Sequence, residues 1–435
     1  VDEQHECNFP VHVDGIGDQE SQGFGVRVLV GDSWGFASSA YAAAAEIDRV
    51  TRLAVKIAKA SGTVPGEPVD LGPPMDRAGE YTTPIQIDPF SIPLEQKLDL
   101  LFRADERIRR NTGVKVSEAS VIAVRHHKVF ASTENAFLDQ TIYETGGAIA
   151  ATAVNETEVQ IRSHPNSFRY QGTGGWEYIT SADLAGNAER VAEEAVALLS
   201  ADLCPSRETT LILGSSQLAL QIHESCGHPT ELDRVFGTEA AFAGRSFLST
   251  DKRNHFRYGS EIVNLTADSV RATGLGTFGW DDEGVPASNM PLVRNGEFVG
   301  YLMSRETAST LGLQSNGCMR ADGWNRIPLI RMTNVSLEPG TWNLDDLIAD
   351  TDDGILMDTN RSWSIDDMRL NFQFGTEVGY EIKNGKRGRL LKNCTYAGIT
   401  PDFWNSCDAI TSEKYWILWG TPNCGKGEPM QVMGT

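Results

Sequence analysis

The sequence predicts an α+β protein: an N-terminal mixed α/β region with antiparallel sheet, followed by a largely β C-terminal domain that carries a short functional helix. Three observations lead there. Near the start an alternating run turns back on itself and passes into a helical period. The middle of the chain strings strand-like runs between two amphipathic helices. The later part twice places Asn-Gly between alternating runs.

The elements follow in order. Phe24, Val26, Val28 and Val30 alternate with Gly25, Arg27 and Leu29, and Gly31-Asp32-Ser33 turns the chain into Trp34-Gly35-Phe36-Ala37, a β-hairpin. From Ala42 to Ala60, Ile47, Val50, Leu53, Ala54, Ile57 and Ala58 recur at helical spacing. Residues 61–93 are rich in Gly and Pro and read as a linker. A helix over 94–111 presents Leu98, Leu100, Leu101 and Ile108. Runs over 119–125, 128–132, 137–144, 148–154 and 158–162 predict an antiparallel meander. The Gly-rich stretch Tyr170–Glu177 reads as a flexible loop, its alternative being a loop lining a site. Ser181 caps a predicted helix to Leu199, with Val191, Ala195, Leu198 and Leu199 inward. Cys204-Pro205 marks a boundary, so the expected division is 1–62, a linker 63–93, a middle α+β region 94–203 and a C-terminal region 204–435. Within the last, 209–213 is a strand, and Arg294-Asn295-Gly296-Glu297 and Lys383-Asn384-Gly385-Lys386 predict type I′ hairpins. Asp281-Asp282-Glu283 reads as a solvated turn rather than a cation site.

Composition narrows the function. A net charge of −21 over 435 residues repels nucleic-acid phosphates and argues against a nucleic-acid role. No apolar run is long enough to span a membrane. The start Val1-Asp2-Glu3-Gln4-His5-Glu6-Cys7 lacks the basic and apolar parts of a signal peptide, and it lacks a Met, as a trimmed or fused chain would. Seven scattered cysteines in so long a chain suggest a reducing compartment, here the cytoplasm.

The chemistry concentrates in His223-Glu224-Ser225-Cys226-Gly227-His228-Pro229. Two imidazoles flanking a carboxylate are the parts of a zinc hydrolase: nitrogen ligands for the metal and a general base. The familiar helical spacing is four; here the histidines are five apart, which turns them away from each other on a straight α-helix. A bend is therefore expected. Gly227 tolerates unusual dihedrals, Pro229 pushes His228 toward an extended conformation, and a one-residue π-bulge is the other route. Leu218, Ile222 and Cys226 lie at i, i+4 and i+8, so Cys226 is read as a packing residue. A catalytic zinc needs a third protein ligand. Outside Cys7 and Cys226, the candidates are Cys204, Cys318, Cys394, Cys407 and Cys424, and composition does not choose among them. Cys424 has the best local setting, in the glycine-flanked turn Asn423-Cys424-Gly425-Lys426-Gly427, where the charge of Lys426 favours a thiolate.

These residues, with Glu231, Asp233 and Phe242-Ala243-Gly244-Arg245-Ser246, resemble the TldD/PmbA family of metalloproteases on its TldD side. The resemblance runs in consistent order from Gly23-Phe24-Gly25-Val26-Arg27 through Phe278–Gly284 and Arg331-Met332-Thr333-Asn334 to Cys424-Gly425-Lys426. It implies zinc held by His223, His228 and Cys424, Glu224 as general base, and extended or unfolded peptides as substrates. Trimming of leader peptides and degradation of small ones are the family roles. It also implies a heterodimer with a motif-less TldE/PmbA-like paralogue, a homodimer being the alternative. Two departures stand out: unfamiliar sequence before Gly23, and an end at Thr435 where the family usually adds a final strand.

Three roles are weighed beside the ligands. Glu231 is expected to anchor a ligand histidine or to bind the substrate's amine. Arg245 is expected to form a structural ion pair, with a substrate carboxylate as the alternative partner. Adjacent His126 and His127 face opposite ways on a strand and are read as structural. The competing reading is a non-catalytic partner or scaffold subunit with a structural metal. A zinc amidase acting on non-peptide substrates would use the same site.

Overall fold

The computed structural model describes residues 13–64, 66–242 and 244–435. The start through Cys7, and Ala243 of the resemblance, lie outside the described residues. The N-terminal block is the expected hairpin, Phe24–Val30 against Ser33–Ser39, followed by the helix Ala44–Ser61. The helix buries Val50, Ala54 and Ala58 on the hairpin, and Gly35 is the point of contact: a Cβ there would overlap the Ala54 carbonyl.

The middle sheet is built on one long strand, Phe137–Val154, paired along its length with Val114–Ala131. The first four runs of the predicted meander are thus two continuous strands, and the fifth is the strand Val159–His164. Gly146-Gly147 does not end the strand because Tyr170–Thr173 pairs there, and a Cβ on Gly146 would stand 2.8 Å from the Tyr170 carbonyl. The Tyr170–Glu177 stretch is therefore no flexible loop. It supplies that strand and the start of the helix Trp176–Ser181, and its residues from Gln171 to Trp176 are buried. The 63–93 segment is likewise more than a linker, since Ala78–Thr82 adds a parallel strand to the same sheet. Two helices, Leu94–Arg109 and Leu184–Leu199, cover one face through Ala104, Ile108, Ala188, Val191 and Ala195. The second is capped by Asp183, which accepts from Gly186 N at 3.1 Å, and not by Ser181, which ends the preceding helix.

The C-terminal region contains a sheet in which the hairpin Asp353–Ile365/Asn371–Lys383 is central, with Thr210–Leu213 added in parallel at one edge. Both predicted type I′ turns are present, with positive φ at Asn295, Gly296, Asn384 and Gly385. Thr210–Leu213 feeds the short helix Ser215–Ile222. That helix is wedged between two apolar clusters. Leu220 joins Phe372 and Phe374 on one side; Ile222 and Cys226 join Leu232, Tyr258, Met332 and Trp404 on the other. Cys226 packs as expected, 1% exposed.

One stretch joins all three regions. Asp281 and Glu283 are buried, so the acidic run is not a solvated turn. Glu283 pairs with Arg27 of the first hairpin at 3.0 Å, Asp282 with Lys128 of the middle sheet at 3.1 Å, and Gln140 Nε2 donates to Trp280 O at 2.9 Å. Asp281 accepts backbone N–H groups of Glu283, Val285 and Met319. Among the described residues no helix is long and apolar enough to cross a membrane.

Candidate metal centre

The motif helix does not stop before the second histidine. After Ile222 the backbone widens into one π-helical turn, His223–Gly227, in which His228 N donates to His223 O, and then tightens into a 3₁₀ turn, His228–Thr230. Of the two expected bends, the π-turn is the one observed. His228 stays helical (φ −56°, ψ −41°) despite the following proline, and Gly227 has ordinary helical dihedrals. Pro229 fits because it sits at the second position of the new turn, where its missing N–H costs little. Glycine is required at 227 for space: a Cβ would overlap Met332 Sδ.

The sequence contains the cause of the widening. Ser225 Oγ donates to Gln221 O at 2.6 Å and accepts from Gln221 Nε2 at 3.0 Å and Trp404 Nε1 at 3.1 Å. A side chain inserted in the backbone ladder in this way spreads the turn. The loosened carbonyls find side-chain donors, Tyr258 OH to Ser225 O and Thr230 Oγ1 to Gly227 O.

The result gathers His223, His228 and Cys424. Their ligating atoms lie within 4.8 Å of one another, all buried. The imidazole centroids are 4.8 Å apart with planes at 82°. Cys424 arrives on a short strand, Cys424–Lys426, paired with Gln431–Met433. Each histidine uses Nδ1 elsewhere, His228 on Glu231 Oε2 at 2.9 Å and His223 on Thr435 Oγ1 at 3.2 Å, which leaves both Nε2 atoms for a ligand. Cys424 Sγ stands 3.6 Å from His228 Nε2. A tetrahedral zinc with its usual N and S bond lengths spaces such a pair by about 3.5 Å, so the donor set fits that ion.

Electrostatics agree with ligation. Burial pushes His223 down to about 3 and His228 well below its usual value, so both rings are neutral. Burial also raises the Cys424 thiol to about 11; Arg331, not Lys426, is the cation that most opposes it. Arg331 is fully buried and donates to the Cys424 carbonyl. Lys426, expected near the sulfur, instead donates to Asp233 at 2.8 Å and Ile330 O at 2.7 Å, and lies 3.3 Å from Glu231.

Glu231 is the hub behind the site. It is fully buried and accepts from His228 Nδ1 and from Arg234 Nε and Nη2 at 3.1 and 3.0 Å. Burial alone would raise its pKa; the charges of Lys426 and Arg234 and the hydrogen bond from His228 hold it well below the usual carboxylate range. Glu224 is also buried, and burial raises it, opposed chiefly by Arg369, whose Nη1 donates to Oε2 at 2.7 Å. Arg245 does not make the expected ion pair. Its side chain is exposed, unpaired among the described residues, and only its backbone N–H is engaged, with Asp367 O at 2.6 Å. His126 and His127 sit on the middle sheet beside Glu144 and Asp139, away from the centre.

Sequence reasoning missed Arg369, Arg331 and Arg234. Arg331 lies within a stretch of the family resemblance, and Arg234 follows Asp233 at one turn from Glu231; Arg369 has no local signal. A cavity of about 1890 Å³ opens beside His223, walled in part by Met332, Trp342, Tyr396, Tyr415 and Trp416.

Two histidines and a cysteine converging on one point, with a carboxylate on the adjoining residue, make a candidate metal centre in a protein of α+β fold. Three family models describe the chain: PmbA/TldA metallopeptidase domain 1 over residues 12–58, the central domain over 87–200 and the C-terminal domain over 206–432. The chain belongs to the TldD/PmbA family of metallopeptidases. It is 29% identical over 418 residues to a metalloprotease of Methanocaldococcus jannaschii, covering 94% of this chain and 88% of that one. It is 24% identical over 207 residues to a zinc metalloprotease TldD homolog of Saccharolobus solfataricus, covering 47% and 44%. TldE from Thermococcus kodakarensis has the same fold, with a TM-score of 0.68 at 17% identity over 94% of this chain and 88% of that one.

Proposed function

We propose that this chain is a zinc-dependent peptidase that hydrolyses extended or unfolded peptides, in leader-peptide removal or small-peptide degradation. The observation that carries the reading is the convergence of His223, His228 and Cys424 within 4.8 Å, beside Glu224. The zinc metalloprotease name of the Saccharolobus solfataricus relative supports the choice of ion. When bound, zinc supplies Lewis acidity at the scissile carbonyl and makes a neighbouring water more acidic. Glu224 takes the proton of the attacking water and returns it to the leaving amine. Glu231 fixes the His228 ring through Nδ1 so that Nε2 faces the centre, and Thr435 does the same for His223. Neutral imidazoles and a buried thiol exclude bulk water from the ligand side.

The likeness of fold to TldE supports pairing with a motif-less TldE-like subunit. In this reading Arg245, exposed near the site, contacts the peptide, the enzyme acts in the cytoplasm, and residues 204–435 form the peptidase domain. The test is Glu224→Gln in the full chain, alone and with a TldE-like partner. One zinc per chain with peptide hydrolysis abolished is expected. Full hydrolysis by the variant, or a wild-type protein that hydrolyses no peptide and binds no zinc, refutes the reading.

A further inference from the structure

The stretch Phe242–Ser246 belongs to the family resemblance, yet none of its described side chains joins the candidate ligand set. Its backbone has another task. Gly244 has φ +79°, and a Cβ there would stand 2.5 Å from Asp367 O, so only glycine lets the two segments meet this closely. The meeting yields two hydrogen bonds, Arg245 N to Asp367 O at 2.6 Å and Phe247 N to Met368 O at 2.9 Å. Ser246 ties the same segment to the metal motif, its Oγ donating to Pro229 O at 2.6 Å while accepting from Leu248 N at 2.9 Å.

What the segment grips is the turn joining Asp353–Ile365 to Asn371–Lys383. That turn is held from every side. Asp366 accepts from Leu370 N at 2.8 Å and Asn371 Nδ2 at 2.5 Å, and its carbonyl accepts from Arg369 N at 3.0 Å. Thr400 donates from Oγ1 to Arg369 O at 3.1 Å and from N to Leu370 O at 2.8 Å. Within it Arg369 adopts φ +61°, a left-handed conformation unusual for a side-chain-bearing residue. Such conformations persist where the surroundings over-determine them, and they cluster at functional sites. On the far side, Arg369 Nη1 donates to Glu224 Oε2 at 2.7 Å, and Arg234, Glu231 and Cys424 also lie within electrostatic reach of the guanidinium.

We propose that Arg369 is a positioning residue for Glu224, and that Gly244–Leu248 is the clamp that holds it in place. The guanidinium fixes one carboxylate oxygen, so that the other, Oε1, is presented to the reacting water in a single orientation. A clamp running from Pro229 to the turn ties this orientation to the turn that carries His228. The base and the ligands are thereby set by one hydrogen-bonded frame. This rests on the peptidase reading above, in which Glu224 handles the proton.

The test compares Arg369→Gln, Arg369→Lys and Gly244→Ala in the zinc-loaded full chain, with the partner subunit where activity requires it, and Glu224→Gln as control. A misaligned catalytic group costs up to about 100-fold. The expected result for Arg369→Gln is a kcat lower by roughly 10- to 100-fold per bound zinc, with KM within about two-fold and zinc content unchanged. Arg369→Lys should recover part of kcat. Gly244→Ala touches neither Glu224 nor a ligand, yet should lower kcat in the same manner. It also keeps the proposal testable if Arg369→Gln fails to fold. A merely structural role predicts loss of melting temperature or zinc with kcat per zinc unchanged, and that result overturns the proposal. So does wild-type kcat in Arg369→Gln beside an inactive Glu224→Gln, which leaves the peptidase reading standing. Full activity in Glu224→Gln overturns both.

Discussion

Replacing Glu231 with Gln tests the hub behind the metal centre. The variant keeps an oxygen for the His228 Nδ1–H but removes one negative charge from a sealed group. Arg234 and Lys426 are both fully buried, and Glu231 lies 3.0 Å from the first and 3.3 Å from the second. Without it Lys426 keeps Asp233 at 2.8 Å, while the Arg234 guanidinium loses the carboxylate that accepts from its Nε and Nη2, and the new amide N–H₂ points toward positive charge. Breaking a buried ionic group by removing one partner costs about 3–5 kcal/mol. For a folding unit the size of residues 206–432 that is a fall in melting temperature of about 6–10 °C. The second effect is on the metal. The neutral amide is a weaker acceptor than the carboxylate, and altering the outer partner of a ligand histidine costs about 10- to 100-fold in affinity, or about 1.4–2.7 kcal/mol. Thermal melts of zinc-stripped protein isolate the first effect. Competition against a chelator of known affinity isolates the second. A variant that melts with the wild type after stripping, and competes for zinc equally well, refutes the argument that Glu231 balances the cations and orients His228.

Other outcomes follow from the same geometry. Cys424→Ala removes one of three donors and should leave the protein without stoichiometric zinc after dialysis; ending the chain before Cys424 should do the same, and retained zinc in either would assign the third ligand elsewhere. Gly227→Ala drives a methyl group into Met332, which is buried, and should cost about 1–3 kcal/mol by chemical denaturation; unchanged stability would mean that the site yields freely. His164, half-buried against Ala182 O and beside Arg190, has its pKa pushed below 6.5 by burial. The unfolded chain then binds the proton that the folded one resists, so its contribution holds above about 6.5 and is lost as pH falls below it. His164→Gln should shrink the difference between urea melts at neutral and mildly acidic pH, and an unaltered difference would remove His164 as the source.

The sequence was most legible where one local rule decides the outcome. The hairpin at Phe24–Ser39 and the turns at Asn295-Gly296 and Asn384-Gly385 are set by alternation and by positive φ, and they formed as expected. Where a neighbour distant in sequence decides, the reading failed. Gly146-Gly147 looks like a strand end until Tyr170–Thr173 lies across it. Asp281 and Glu283 look solvated until Arg27, Arg305 and Met319 arrive. At the metal centre the donor types and the need for a bend were visible, but the cause of the bend was not. It lies in Ser225, whose hydroxyl is engaged by Gln221 and by Trp404, 179 residues away. Arg369 was invisible for the same reason: only the folded hairpin brings it over Glu224.

The junction at residues 274–284 bears on how such proteins can be recombined. Its carboxylates and backbone reach Arg27, Lys128 and Gln140, so the C-terminal region carries the counterparts of contacts that the other two regions make. A chimera cut near Cys204, with each side taken from a different relative, would look modular by length and composition. It would nonetheless pair one parent's arginine and lysine with the other parent's loop. Successful swaps should therefore move 274–284 together with the first hairpin and the central strand as one inherited set, although these pieces are scattered along the chain.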